Sequence, residues 1–257
     1  MDINNLLQGV DCKCGKKHTC DIKKVYIESD VTKRLEELCK GYKKALFVAD
    51  ENTFATCGED AIKNAKIPYD KVIFSGKTLL IPNENAVAEV EKYLDGIDII
   101  IGIGSGVIQD LCKYVAFNHK IPYIIVATAP SMDGYASTGA AMIWEGMKIT
   151  YSAKVPYAIL ADTKVLANSP IEMIKAGYGD IIGKYSALND WKLSNLLTGE
   201  YICDFIYDLT YDCILKVRSL AKGLLTQDEE SVKALMEALV LVGIAMAFAG
   251  SSRPASG

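Results

Sequence analysis

From Ala45 to about Ala161, short apolar runs alternate with stretches of helical periodicity, and this alternation restricts the fold more than any other feature of the chain. The runs ALFVAD, KVIFSG, DIIIGIG, PYIIVAT and YAILAD have strand length and are rich in branched or aromatic residues. Between the early ones lie segments such as Asn85–Leu94, where Val87, Val90, Tyr93 and Leu94 recur at helical spacing. Asn83, just after Pro82, is placed to cap that helix. Continuous apolar strands separated by helices predict a mostly parallel sheet covered on both faces. The more polar MIWEGMKITYSA reads as a hairpin turning near Gly146. After Asp162 the strand signals cease, and Pro170 opens helical periodicity that continues, with breaks near Gly199 and Gly223, to Gly250. The sequence thus predicts an α/β domain over 1–166 and an α-helical domain over 167–257, divided near Ala167–Pro170.

Composition narrows the partners. Apolar residues make up 50% of the 257 and charged residues 23%, enough apolar surface for a substantial core. A net charge of -4 offers no basic field for nucleic acid. The N-terminus lacks the basic start and apolar core of a signal peptide. The apolar stretch Ala238–Ala249 is too short to span a bilayer and reads as a buried core helix. Cys39, Cys57, Cys112, Cys203 and Cys213 are scattered through periodic segments and read as reduced, packed thiols of a cytoplasmic protein.

The segment GIGSGVIQD lies where a buried strand would deliver Gly102, Gly104 and Gly106 to the carboxyl edge of the sheet. Glycines there let backbone approach a ligand and permit positive φ. The helix that follows, over Val107–Phe117, points free N–H groups at the same spot, which suits a phosphate. Asp110 falls near its first turn. Glycines that serve only tight packing of helix on strand are the alternative. The sequence has no G-x-x-x-x-G-K-[ST], and the next strand ends in Thr128 without a ribose-binding acid, so neither a P-loop nor the usual dinucleotide fingerprint applies.

Two more clusters follow, the first of them expected on this same edge. The next strand runs into TAPSMDGYAST, where Thr128, Ser131, Asp133 and Ser137 share one loop, with Asp133-Gly134 also a plausible turn pair. In the helical half, GYGDIIGKYSALND sets Asp180 and Lys184 four residues apart on one face. A surface ion pair is the ordinary reading, but the neighbours Gly177, Gly179, Ile181, Ile182 and Gly183 are small and apolar for a solvated face, which suits a metal ligand or substrate contact at Asp180.

In this order and at these separations, GIGSGVIQDLCKY, ATAPSMDGYASTGAA, AGYGDIIGKYSALNDWKL and the terminal GSSRPASG resemble the sn-glycerol-1-phosphate dehydrogenases. These belong to the group of iron-containing alcohol dehydrogenases, glycerol dehydrogenases and dehydroquinate synthases, and the bacterial branch associated with arabinose-operon proteins looks nearest. The resemblance covers essentially the whole chain. It implies a Rossmann-like domain followed by a helical one, with NAD or NADP held between them. It implies reversible reduction of dihydroxyacetone phosphate to sn-glycerol 1-phosphate by a homo-oligomer, assisted by a divalent metal, zinc or nickel. Laid onto this chain, Gly104, Ser105, Gly106, Val107, Ile108 and Asp110 would hold the pyrophosphate. Thr128, Ser131 and Ser137 would line the nicotinamide side, and Asp50 would meet the adenosine ribose. Asp133 and Asp180 would contact substrate, with Asp180 also a metal ligand; Lys184 is added here as a partner for the substrate phosphate. A glycerol or polyol dehydrogenase of the same fold, or a nucleotide-binding remnant without turnover, are the alternatives.

One departure stands out. The family's metal takes one Asp and two His, whereas this sequence contains only His18 and His119, neither in the family pattern. His119 reads as a helix-end histidine. With one carboxylate the chain as written should bind metal weakly and turn over slowly or not at all. A complete version is expected to continue past Gly257 with a His-bearing helix, and the Val232–Phe248 helix to expose apolar surface without it. Finally, DCKCGKKHTC offers Cys12, Cys14, His18 and Cys20 within one short loop. Structural zinc sites pin distant segments together with separated ligand pairs, so this spacing predicts incidental or reactive thiols rather than zinc.

Overall fold

The computed structural model describes residues 2–256. The N-terminal segment carries α1 (Ile3–Leu6), a small hairpin of β1 (Val10–Asp11) and β2 (Lys17–His18), then β3 (Lys24–Ile27) and α2 (Leu35–Leu38). Strands and helices then alternate as β4 (Ala45–Asp50), α3 (Glu51–Ala65), β5 (Tyr69–Phe74), α4 (Glu84–Glu91), β6 (Ile99–Gly104), α5 (Gly106–His119) and β7 (Tyr123–Ala127). The hairpin of β8 (Gly139–Trp144) and β9 (Met147–Ser152) precedes β10 (Ala158–Ala161) and α6 (Thr163–Ala167). The rest is helical: α7 (Ile171–Thr198), α8 (Asp204–Ser219), α9 (Ala221–Leu225) and α10 (Glu229–Ala249).

Six strands form one sheet in the order β3-β10-β7-β6-β4-β5, every neighbour parallel. The apolar runs are continuous because the sheet is covered twice. Ile100 packs into one core while Ile99, Ile101 and Ile103 pack into the other, all with no exposed surface. From β4 the chain steps outward to β5 and then returns to the other side of β4 as β6. Such a reversal opens a crevice at the carboxyl ends of the two strands, the usual ligand position in open α/β sheets.

The expected hairpin is present, with Glu145 and Gly146 at positive φ in its turn. Asn83 caps α4 by accepting from the Ala86 N–H, although that helix starts and ends earlier than its periodicity suggested. Gly199 and Gly250 close α7 and α10 in left-handed conformation, whereas Gly223 lies inside α9 and the break falls after it.

One expectation is corrected. The Val232–Phe248 face is not exposed: Val232, Leu235, Leu239, Val242 and Phe248 are buried. α10 is long and apolar enough to cross a membrane, yet it packs against α6, α7, α8 and the loop at Gly134–Ala136, which supply its cover. Ile3, Leu6, Cys20 and Ile22 join the core that contains Trp191, Ile206 and Phe248 of the helical half.

Candidate active site

A cleft of about 890 Å³ opens at the crevice between β4 and β6. Asp50, Ser105, Val107, Ile108 and Thr128 line it from the sheet, and Lys164, Ser169, Pro170 and Met173 close it from the helical side. Ser105 is the N-cap of α5, and its side chain makes no capping bond, so the first-turn N–H groups keep their capacity for an anion.

The three glycines before α5 have different jobs. A Cβ on Gly102 would sit 2.8 Å from Cys112 Sγ, and one on Gly104 would sit 2.6 Å from Ile108 Cβ. Those two glycines let α5 press against β6. A Cβ on Gly106 would meet nothing closer than Met132 Cγ at 3.7 Å, so packing does not demand a glycine there. None of the three adopts positive φ.

Asp50 caps α3: its Oδ1 accepts from Thr53 N, and its own N–H donates to Thr53 Oγ1. The β5–α4 loop, residues 75–80, forms the outer wall of the cleft and was not singled out in the sequence. It is tied to α3, where Asn52 Nδ2 donates to Gly76 O at 3.1 Å and Gly76 N donates to Glu51 Oε2 at 2.9 Å. Its SGKT composition is the small-polar signal that could have flagged it.

The loop after β7 carries the second cluster. Tyr135 is fully buried and donates to Ala129 O at 2.7 Å, which folds the loop back on itself. α7 meets it at contact distance: a Cβ on Gly177 would fall 1.9 Å from Pro130 O. α10 does the same through Gly243, whose Cβ would lie 2.7 Å from Asp133 O. Glycine at these two positions lets both helices approach the loop backbone. Asp133 N donates to Asp180 Oδ2 at 2.8 Å, and Lys184 Nζ lies 2.7 Å from Asp133 Oδ2 and 2.6 Å from Asp180 Oδ1. The Lys184 side chain is only 5% exposed. Burial opposes its charge, but Asp133 and Asp180 outweigh burial and raise its pKa. Burial is the largest influence on Asp133 and raises its pKa despite the attraction of Lys184.

Asp110 and Ser137 lie behind this loop rather than on the cleft wall. Asp110 Oδ2 accepts from Ala141 N at 3.2 Å, which ties α5 to the β8–β9 hairpin. Ser137 Oγ is 3.2 Å from Lys113 Nζ. Lys113, a residue the sequence reading missed, is fully buried and donates to Gly134 O and Gly139 O at 2.9 and 2.7 Å. Burial lowers its pKa, offset in part by Asp110. Its place three residues after Asp110, within an apolar helix, was the available signal. Ser131 is half-buried in the same loop. His119 ends α5 and pairs with Glu91 Oε1 at 2.8 Å, and does not line the cleft.

The cleft fits a dinucleotide: it has an uncapped helix N-terminus with an unobstructed Gly106, and Asp50 beside it. The metal implied for Asp180 is a different matter. Among the described residues no further histidine, cysteine or acidic donors gather with Asp133 and Asp180 into a set of three, and Lys184 pairs with both carboxylates. The described residues do not by themselves fit a catalytic metal.

Comparison with known proteins agrees with this architecture. The family model for iron-containing alcohol dehydrogenases matches residues 26–170, and the chain belongs to that family. Within it, the chain is similar to glycerol-1-phosphate dehydrogenase [NAD(P)+] of Geobacillus stearothermophilus, at 34% identity over 96% of this chain and 63% of that protein. It is likewise similar to glycerol-1-phosphate dehydrogenase [NAD(P)+] of Sulfurisphaera tokodaii, at 37% identity over 94% of this chain and 70% of that protein. The chain therefore spans about two thirds of the length of such relatives. The crystal structure of glycerol dehydrogenase from Schizosaccharomyces pombe shares the fold, with a TM-score of 0.73 and 21% identity over 87% of this chain and 60% of that one.

Proposed function

We propose that this chain carries the cofactor cleft and part of the substrate site of a dehydrogenase that reversibly reduces dihydroxyacetone phosphate to sn-glycerol 1-phosphate. The observation that supports it most is that the loop beginning at Thr128 and Ala129 on the cleft wall, beside the α5 N-terminus, goes on to carry Asp133 of the Asp133–Lys184–Asp180 cluster. The likeness to glycerol-1-phosphate dehydrogenases over nearly the whole chain agrees with it.

In this reading Gly104, Ser105, Gly106, Val107 and Ile108 hold the pyrophosphate, Asp50 meets the adenosine ribose, and Thr128 and Ser131 border the nicotinamide. When bound, NAD(H) or NADP(H) accepts or supplies the hydride. A carboxylate at Asp50 would repel a 2′-phosphate and favours NAD(H). Ketone reduction also consumes one proton. Asp133, held as a carboxylate by Lys184, contacts the substrate in this reading rather than supplying that proton. Lys184, spent on two carboxylates, is a positioning residue that fixes Asp133 and Asp180 rather than a partner for free phosphate. Asp110 and Ser137 act at one remove, by bracing α5 and the loop. Zinc or nickel is the ion expected of the whole protein, with Asp180 its one candidate ligand here. A cytoplasmic homo-oligomer belongs to the same reading.

Assay of the full-length protein with NADH and either dihydroxyacetone phosphate or dihydroxyacetone tests it. The expected result is turnover of the phosphate ester to a product that an sn-glycerol-3-phosphate-specific dehydrogenase does not consume. Equal turnover of dihydroxyacetone, or a product that enzyme does consume, would contradict it.

A further inference from the structure

The short loop dismissed on spacing grounds acquires its missing partner in three dimensions. Cys12, Cys14 and His18 are joined by Cys203, at the start of α8, with all four ligand atoms within 4.8 Å of one another. Cys20 is not part of the group. The link is long-range, since 191 residues separate Cys12 from Cys203. We propose that Cys12, Cys14, His18 and Cys203 bind a tetrahedral zinc ion that fastens the N-terminal segment to the helical half, distinct from any metal at Asp180.

The distances suit that ion. Cys12 Sγ is 3.6 Å from Cys203 Sγ, and His18 Nε2 is 3.4 Å from both Cys14 Sγ and Cys203 Sγ. Tetrahedral zinc with Zn–S of about 2.3 Å and Zn–N of about 2.0–2.1 Å sets its sulfurs about 3.8 Å apart and sulfur from nitrogen about 3.5 Å. A disulfide would need sulfurs about 2.05 Å apart, so Cys12 and Cys203 are not bonded.

The surroundings are those of a ligand set. His18 is 1% exposed and held between the rings of Phe205 and Phe248, whose centroids lie 6.1 and 5.5 Å away. Its Nδ1 lies 3.3 Å from Phe248 O, and donation there leaves Nε2 unprotonated toward the three sulfurs. Tyr201 OH sits 3.3 Å from Cys14 Sγ, placed to donate to a thiolate. Cys203 occupies the N-cap of the sixteen-residue α8, where the helix end favours an anionic sulfur. Three thiolates and a neutral imidazole give the zinc complex one net negative charge. Lys16 Nζ, 3.5 Å over the Tyr201 ring, keeps a cation near it. Gly15, at φ +85°, makes the tight turn that brings Cys12 and Cys14 to the same side.

The full chain, reduced and stripped of metal, is titrated with cobalt(II), and its zinc content is measured after exchange against zinc(II) and removal of loose ion. The expected result is the intense thiolate-to-cobalt charge transfer and tetrahedral d–d bands of a sulfur-rich site, and one retained zinc per chain. Both should be lost in Cys12→Ser and Cys203→Ser and kept in Asp180→Asn. Should the cysteine variants fail to fold, the wild-type cobalt spectrum still decides, because three thiolates give charge transfer that carboxylates cannot. Absence of that band from the wild type, its persistence at full strength in Cys203→Ser, or loss of the zinc in Asp180→Asn would overturn the proposal. So would a Cys12–Cys203 disulfide in the protein as isolated from cells.

Discussion

Lys184 Nζ lies 2.7 Å from Asp133 Oδ2, an ion pair that joins the middle of α7 to the loop following β7. The same ammonium holds Asp180, so one buried cation compensates two carboxylates contributed by different elements. Removing it leaves both charges without their partner. Lys184→Met is expected to cost about 3–5 kcal/mol in urea unfolding, whereas Lys184→Met combined with Asp133→Asn and Asp180→Asn recovers much of the loss. A single variant as stable as the wild type would show that the cluster is not a structural tie.

The sign of the Lys184 shift sets its pH window. Its folded pKa lies above the ordinary lysine value of 10.5, so the folded protein holds this proton more tightly than the unfolded chain. The associated stability is fully present below that ordinary value and is lost as pH rises through the raised one. Urea midpoints should therefore fall more steeply with alkaline pH in the wild type than in the triple variant. Parallel curves would contradict the assignment.

Gly104 and Gly106 should part company when each becomes alanine. Gly104→Ala drives a Cβ to 2.6 Å from Ile108 Cβ and is expected to cost about 1–3 kcal/mol of stability. Gly106→Ala meets only ordinary contact and, as the first residue of α5, should change stability by less than about 1 kcal/mol. Its effect should appear instead as roughly tenfold weaker NADH binding, about 1.4 kcal/mol, followed by nicotinamide fluorescence. Undiminished binding would place the pyrophosphate elsewhere.

Gly177→Ala tests the approach of α7 to the loop. Its Cβ would lie 1.9 Å from Pro130 O, a backbone atom that cannot rotate away, so helix or loop must shift. The expected cost is about 1–3 kcal/mol in thermal unfolding. Gly179→Ala, where a Cβ meets nothing within 4 Å, serves as the control and should not destabilise.

These contrasts show what the sequence alone could and could not convey. The sheet was legible because β4, β6, β7 and β10 are buried on both faces and so are written as unbroken apolar runs. β3, with its mixed KVYI at the sheet edge, carries no such signature. The Asp180–Lys184 pair was legible because helical spacing alone sets it, while the third member, Asp133, is joined only by tertiary packing. Glycine spacing could not separate packing from ligand approach, since that depends on Cys112 and Ile108 pressing from α5. The cysteine cluster was only partly legible for the same reason: its fourth donor, Cys203, is near only in the folded chain.

Hydrogen exchange of the chain with and without NADH addresses the cofactor cleft itself. Binding there should slow exchange in residues 75–80, in the first turn of α5 after Ser105, and in the loop following Thr128, and leave the β1–β2 hairpin unchanged. Protection confined to other segments, or none at saturating NADH, would contradict a dinucleotide site between β4 and β6.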